Sequence, residues 1–168
     1  SNVILDCAGH AIRGSGEQSQ DFGIALADGV SGATIKHCEV SGFRRGIRLR
    51  AANKNVIVQN IVHHNGNFAT RVGYGVDIAG GKDNLLQGNF IHHNADEGVH
   101  VGTGSHGNIF IENRIEDSGR ENVYFLRADR GVLQKNQIRG GGSNSVFVKH
   151  SSFLRIEHNV FHDEPVTV

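Results

Sequence analysis

The apolar residues of this chain fall in short alternating runs, and the runs recur. VIVQNIV, LLQGNFI, IFIENRI, VLQKNQI and LRIEHNVF each carry strand-forming residues, then an asparagine, then another apolar residue. The asparagines are Asn60, Asn89, Asn113, Asn136 and Asn159; Cys7 (in ILDCAGH) and Cys38 (in IKHCEV) hold the same slot earlier, and successive spacings are 31, 22, 29, 24, 23 and 23. A second run follows each marker: GIALA, GIRLR, GVDIA, GVHVG, NVYFL and SVFVK. Its leading apolar residues, Ile24, Ile47, Val76, Val99, Val123 and Val146, are spaced 23, 29, 23, 24 and 23. Two independent markers keep one register. Helical 3.6 periodicity is absent. A unit of this length holding two or three short strands predicts an all-β stacked solenoid of about seven coils in a single domain over residues 1–168.

Alternation within the second run sorts its faces. Ile24/Leu26, Ile47/Leu49, Val76/Ile78, Val99/Val101, Val123/Phe125 and Val146/Val148 are expected to point inward. The residue between them, coil by coil, is Ala25, Arg48, Asp77, His100, Tyr124 and Phe147. Strands of neighbouring coils lie about 4.8 Å apart, so Arg48, Asp77, His100 and Tyr124 form one expected column on an exposed face. Two places along stand Arg50, Ala79, Gly102, Leu126 and Lys149, with Arg127 beside Leu126. Small residues beside Asp77 and His100 leave room for a ligand, and basic residues flank it. The third unit is longer, with its extra residues in NGNFATRVGYG just before Asp77. Such insertions project as loops on a solenoid's binding face, which would let Arg71 reach over the column.

Composition narrows the classes. Seventeen basic and 17 acidic residues balance, so bulk charge does not point to nucleic acid. Twenty-three glycines with a single proline suit many tight turns. No apolar run is long enough for a membrane span. The chain has no methionine and opens within a strand-like run, which suggests a processed or excised piece of a longer chain. Further coils, caps or oligomer partners are therefore expected at the solenoid ends. Cys7 and Cys38, stacked in one slot on adjacent coils, are expected within disulfide reach and as free buried thiols.

The repeat resembles the right-handed parallel β-helix proteins of the pectate-lyase-like superfamily. NVILDCAGHAIRGSG is similar to the opening coil of that group, and the asparagine slot is similar to its internal amide ladder. The resemblance covers nearly the whole chain and supplies the handedness. It also implies an extracellular or periplasmic protein. Locally, GYGVD resembles a motif of the mannuronan C5-epimerases, in which Tyr-Gly, an apolar residue and Asp precede Pro-His. Tyr74, Gly75, Val76 and Asp77 match; Ile78 and Ala79 replace the Pro-His, and His100, one coil later, is the candidate substitute.

Arginine, histidine, tyrosine and aspartate in one column suit proton transfer beside a uronate carboxylate. That reaction needs a cation for the carboxylate, a base, and an acid on the other face of the sugar. The expected catalytic residues are His100, Tyr124, Asp77 and Arg48; Arg50, Arg71, Tyr74, Arg127 and Lys149 are expected to bind an acidic polysaccharide, with lyase or epimerase chemistry and without cofactor or metal. The rival is a non-enzymatic structural or adhesive solenoid, such as a surface or tailspike segment, whose column only ties coils together. A third reading starts from VHHN and IHHN, which would stack His63 on His92 and His64 on His93, with Glu116, Arg139 and His162 continuing the first column. Stacked histidines and a carboxylate suit a transition metal, yet no third fixed ligand is evident. Asp28, Asp83, Glu97 and Asp129 fall in turns without a calcium-loop repeat.

Overall fold

The computed structural model describes residues 2–16 and 18–168. Among them there is no α-helix; the strands form three parallel sheets of seven strands each. Each coil gives one strand to each sheet. The first sheet runs from Ile4–Asp6 to Arg155–Glu157, and the second from Ala11–Arg13 to Val160–His162. The third comprises Phe22–Leu26, Arg45–Arg50, Tyr74–Ala79, Val99–Val101, Val123–Leu126, Val146–Lys149 and Val166–Thr167.

Strands of three residues can bury one side chain each, and the repeat makes those side chains coincide. Ile35, Ile57, Leu86, Phe110 and Leu133 stack behind the first sheet, and Val40, Val62, Ile91, Ile115 and Ile138 behind the second. The third sheet adds Ile47, Val76, Val99, Val123 and Val146, together with Leu49, Ile78, Val101 and Phe125. Phe110 and Phe125 meet edge to face with centroids 5.8 Å apart. Leu26 and Val148, also expected inside, are only partly buried, because they lie near the two ends of the stack where fewer coils cover them.

The marker asparagines form an internal ladder. Asn60 donates to Asn89 (3.1 Å), Asn89 to Asn113 (3.0 Å), Asn113 to Asn136 (3.0 Å) and Asn136 to Asn159 (2.9 Å). Each amide oxygen also accepts a backbone N–H from the neighbouring coil, as Asn113 Oδ1 does from Asn89 at 2.9 Å. Two further ladders, Asn55–Asn84–Asn108 and Asn65–Asn94, were not foreseen. They satisfy polar groups that each tight corner would otherwise strand in the interior.

Cys7 and Cys38 are joined in a disulfide, with Cα atoms 4.8 Å apart. This corrects the expectation of free thiols. Sharing a slot on adjacent coils brings the two backbones to bonding distance.

Glycine stands at the start of the third-sheet strand in four successive coils for a steric reason. A Cβ on Gly23, Gly46, Gly75 or Gly98 would lie 2.6–2.7 Å from a backbone oxygen of the next coil. The chain turns a corner there. Alternation restarts after it, so the residue before the glycine and the residue two places after it both reach the outer face. That corner builds the site described next.

Candidate functional site on the third sheet

The register confirms the expected column: Arg48 pairs with Asp77, Asp77 with His100, His100 with Tyr124 and Tyr124 with Phe147. A parallel column missed by the sequence reading stands beside it. Arg45 pairs with Tyr74, and the backbone bonds Gly75 to Glu97 and Gly98 to Glu121 carry the line onward through Glu97 and Glu121.

The two columns meet at Asp77. Its carboxylate was expected on an exposed face, but it is only 3% exposed. Arg45 Nε lies 3.0 Å from Oδ2, Arg48 Nε 3.6 Å from the same oxygen, and His100 Nδ1 3.0 Å from Oδ1. The side chains of the flanking coils fold over it. Tyr74 stacks on His100 with centroids 4.6 Å apart, and the Arg45 guanidinium lies 5.2 Å from the Tyr74 ring. Arg48 sits 4.6 Å from the Phe22 ring. A buried carboxylate is costly unless paired, and here two arginines and a histidine pair it.

A carboxylate only accepts, so Nδ1 of His100 carries the proton toward Asp77, and in the neutral ring the lone pair is then on Nε2. Tyr124 lies on the far side of His100, centroids 5.8 Å apart. Burial, then the nearby Glu97, pushes both phenols up, Tyr74 to about 12, so both remain protonated at neutral pH.

Next to this cluster lies an acidic one. Arg120 holds Asp96 at 3.3 Å, Glu97 at 3.6 Å and Glu121 at 3.5 Å. One guanidinium serves three carboxylates. Burial, then Asp96, pushes Glu97 up to about 7, and its Oε2 is buried without a hydrogen-bond partner among the described residues. Glu97 was expected as an ordinary turn residue.

The expected binding residues are dispersed. Tyr74 belongs to the cluster. Arg50 pairs with Asp28 at 2.8 Å, and together with Arg48, Phe22, Ala25, Leu26 and Ala27 they line an open cavity of about 380 Å³. Arg71 is exposed on the third-coil insertion, a small hairpin closed by Asn67 and Val72, and is not a partner of Asp77 or His100. Arg127 and Lys149 lie further along the sheet, exposed and joined through the backbone.

The stacked histidines occur as expected on the second sheet, His63 on His92 at 5.0 Å and His64 on His93 at 5.3 Å. Glu116, Arg139 and His162 continue the first column. Among the described residues no three His, Cys, Asp or Glu side chains form a ready metal-ligand set, and no helix is long and apolar enough to cross a membrane.

A family model described as "Right handed beta helix region" matches residues 22–167. No curated protein matches. Among solved structures, the periplasmic alginate epimerase AlgG is similar with a TM-score of 0.80 at 17% identity, over 95% of this chain and 39% of that one. An alginate lyase from Paenibacillus sp. str. FPU-7 is similar with a TM-score of 0.57 at 11% identity, over 94% of this chain and 77% of that one. The chain thus spans about two-fifths of the length of the epimerase.

Proposed function

The chain belongs to the right-handed β-helix family, and we propose that it uses this scaffold to bind an acidic, uronate-containing polysaccharide along the third sheet and to move the proton beside the uronate carboxylate. The observation that carries the reading is the hydrogen bond between Asp77 and His100, set between two arginines and two neutral phenols. The alginate epimerase and lyase that share the fold support the substrate class. The periplasmic location of the epimerase supports an extracytoplasmic site of action.

In this mechanism Asp77 orients His100, and Nε2 takes the proton from C5 of the sugar. The electron pair left behind spreads into the carboxylate. Arg48 is the cation to neutralise it, being the arginine held less closely by Asp77 and the one that borders the cavity. Two outcomes balance. If Tyr124 delivers a proton to the opposite face of C5, the product is the epimer. If the C4–O bond breaks instead, a C4=C5 double bond forms and the departing oxygen takes the proton of Tyr124.

The test is a panel of uronate polymers incubated with the protein in deuterated buffer. Ultraviolet absorbance reports elimination, and deuterium at C5 reports epimerisation. The proposal expects one signal on at least one polymer; neither signal and no binding on any polymer would leave only the fold. The burial of Asp77 favours a second reading, in which the cluster merely ties three coils together. In that case no uronate polymer binds this face.

A further inference from the structure

The four histidines of VHHN and IHHN lie on the second sheet and its following corner, and the proposed polysaccharide site does not use them. His63 and His92 end strands; His64 and His93 occupy the corner position, with φ of 49° and 50°. The corner itself is ordinary. Gly42, Asp117 and Gly140 take the same left-handed turn in other coils. What is particular to these two coils is that an imidazole stands at the corner and another just before it. The turn aims the two rings of each coil at one another, with His63 Nδ1 2.8 Å from His64 Nδ1 and His92 Nδ1 2.9 Å from His93 Nδ1. The rings of a pair stand at 90° and 89°.

Two imidazole nitrogens this close share one proton. One ring carries it on Nδ1, and the other offers a lone pair. Neighbouring carboxylates indicate which ring is which. Glu39 Oε1 lies 3.4 Å from His63 Nε2, and Asp117 Oδ2 lies 4.0 Å from His93 Nε2. Each favours the proton on Nε2 and leaves a bare Nδ1 facing its partner. The donors are then His64 and His92. Moving one proton from Nδ1 to Nε2 on His64, or on His92, leaves both Nδ1 atoms of its pair bare, and a turn of the two rings off the N–N line lets their lone pairs converge on a shared ion.

The spacing selects the geometry those lone pairs would serve. With metal–imidazole bonds of about 2.0–2.1 Å, ligands at a right angle have nitrogens about 2.9 Å apart, whereas a tetrahedral pair needs about 3.3 Å. The observed 2.8 and 2.9 Å fit the right angle. Right-angled nitrogen donors are the preference of tetragonal Cu(II) and Ni(II). We infer that the histidine array is a binding site for a divalent transition metal of this kind, with each Nδ1–Nδ1 pair supplying two adjacent ligands and water completing the coordination. Glu39 and Asp117 orient the ligating rings from behind. Because the pairs stack at coil spacing, two dications would repel each other, and the first ion binds more tightly than the second.

The test uses the whole chain, at neutral pH in a non-coordinating buffer, with Cu(II) as the probe. Sub-stoichiometric Cu(II) is expected to broaden the NMR signals of His63, His64, His92 and His93 before those of any other histidine, and its electron paramagnetic resonance spectrum is expected to show equatorial nitrogen ligands. The double variant His63→Ala/His92→Ala, on the outer side of the sheet, is expected to weaken Cu(II) binding by at least about ten-fold. A control pair, His150→Ala/His158→Ala, is expected to leave it unchanged. Broadening spread evenly over all histidines, equal losses in the two double variants, or no binding by the wild type would overturn the inference. The NMR arm uses the unaltered protein, so a variant that fails to fold does not decide the matter.

Discussion

Two regions bury polar side chains in opposite ways. The asparagine ladder repeats in every coil from Asn60 to Asn159, and each amide bonds to the next. The Asp77 cluster occurs once, and each coil contributes a different residue: Arg48, Asp77, His100, Tyr124. In a solenoid the demands of stacking are the same at every level. A feature needed for stacking alone therefore recurs, and one that does not recur answers to something else. On that argument the ladder is scaffold and the cluster is a candidate site.

The contrast can be broken from the scaffold side first. Asn113→Ala removes an oxygen that accepts two hydrogen bonds from Asn89 and a nitrogen that serves Leu86 and Asn136. Several buried partners would be left unpaired, so we expect a loss of at least about 3 kcal/mol in chemical denaturation. A loss below about 1 kcal/mol would remove the ladder from the scaffold. Reducing the disulfide, which spans a sequence separation of 31, is expected to cost about 3–4 kcal/mol by the loop-entropy argument. Thiol titration under denaturing, non-reducing conditions checks the bond itself and should find no free thiol.

A smaller effect sharpens the boundary of the site. Glu97 titrates near 7 in the folded chain against an ordinary 4.5. The folded state therefore holds a proton that the unfolded state has already released between those values, and stability falls as pH rises from about 4.5 to about 7. In Glu97→Gln this loss is absent. The variant should gain on the wild type across that window, by on the order of 1–3 kcal/mol above pH 7. Parallel pH–stability curves for the two proteins would show that Glu97 is not held neutral by its burial.

The repeat made the coils, the inward residues and the Arg48–Asp77–His100–Tyr124 column legible, because period-two alternation and register both follow from spacing. The neighbouring column was not legible. Arg45, Tyr74, Glu97 and Glu121 have the same parity as the inward Ile47, Val76, Val99 and Val123, so simple alternation hides them. The glycine corner resets the phase, and the reason for the glycine is a contact with the next coil that only coordinates reveal. The burial of Asp77 was missed for a different reason. Alternation gives the direction of a side chain but not what lies over it, and here Arg45 from the hidden column packs against the carboxylate together with Arg48 and His100. Arg127 and Lys149 stand in the two coils after His100, flanking the column where their spacing places them.

His100→Ala gives the most direct measurement of the central claim. Wild type and variant are compared on the uronate polymer that the wild type modifies or binds, with thermal unfolding recorded on the same samples. His100 is partly exposed on the outer face but donates to the buried Asp77, whose two arginine partners remain, so its removal should cost about 1–3 kcal/mol. We expect turnover to vanish while the variant still folds and unfolds cooperatively, with a melting temperature lowered by no more than that loss implies. Full activity in the variant, or a loss of activity that only tracks a collapse in stability, would contradict the claim.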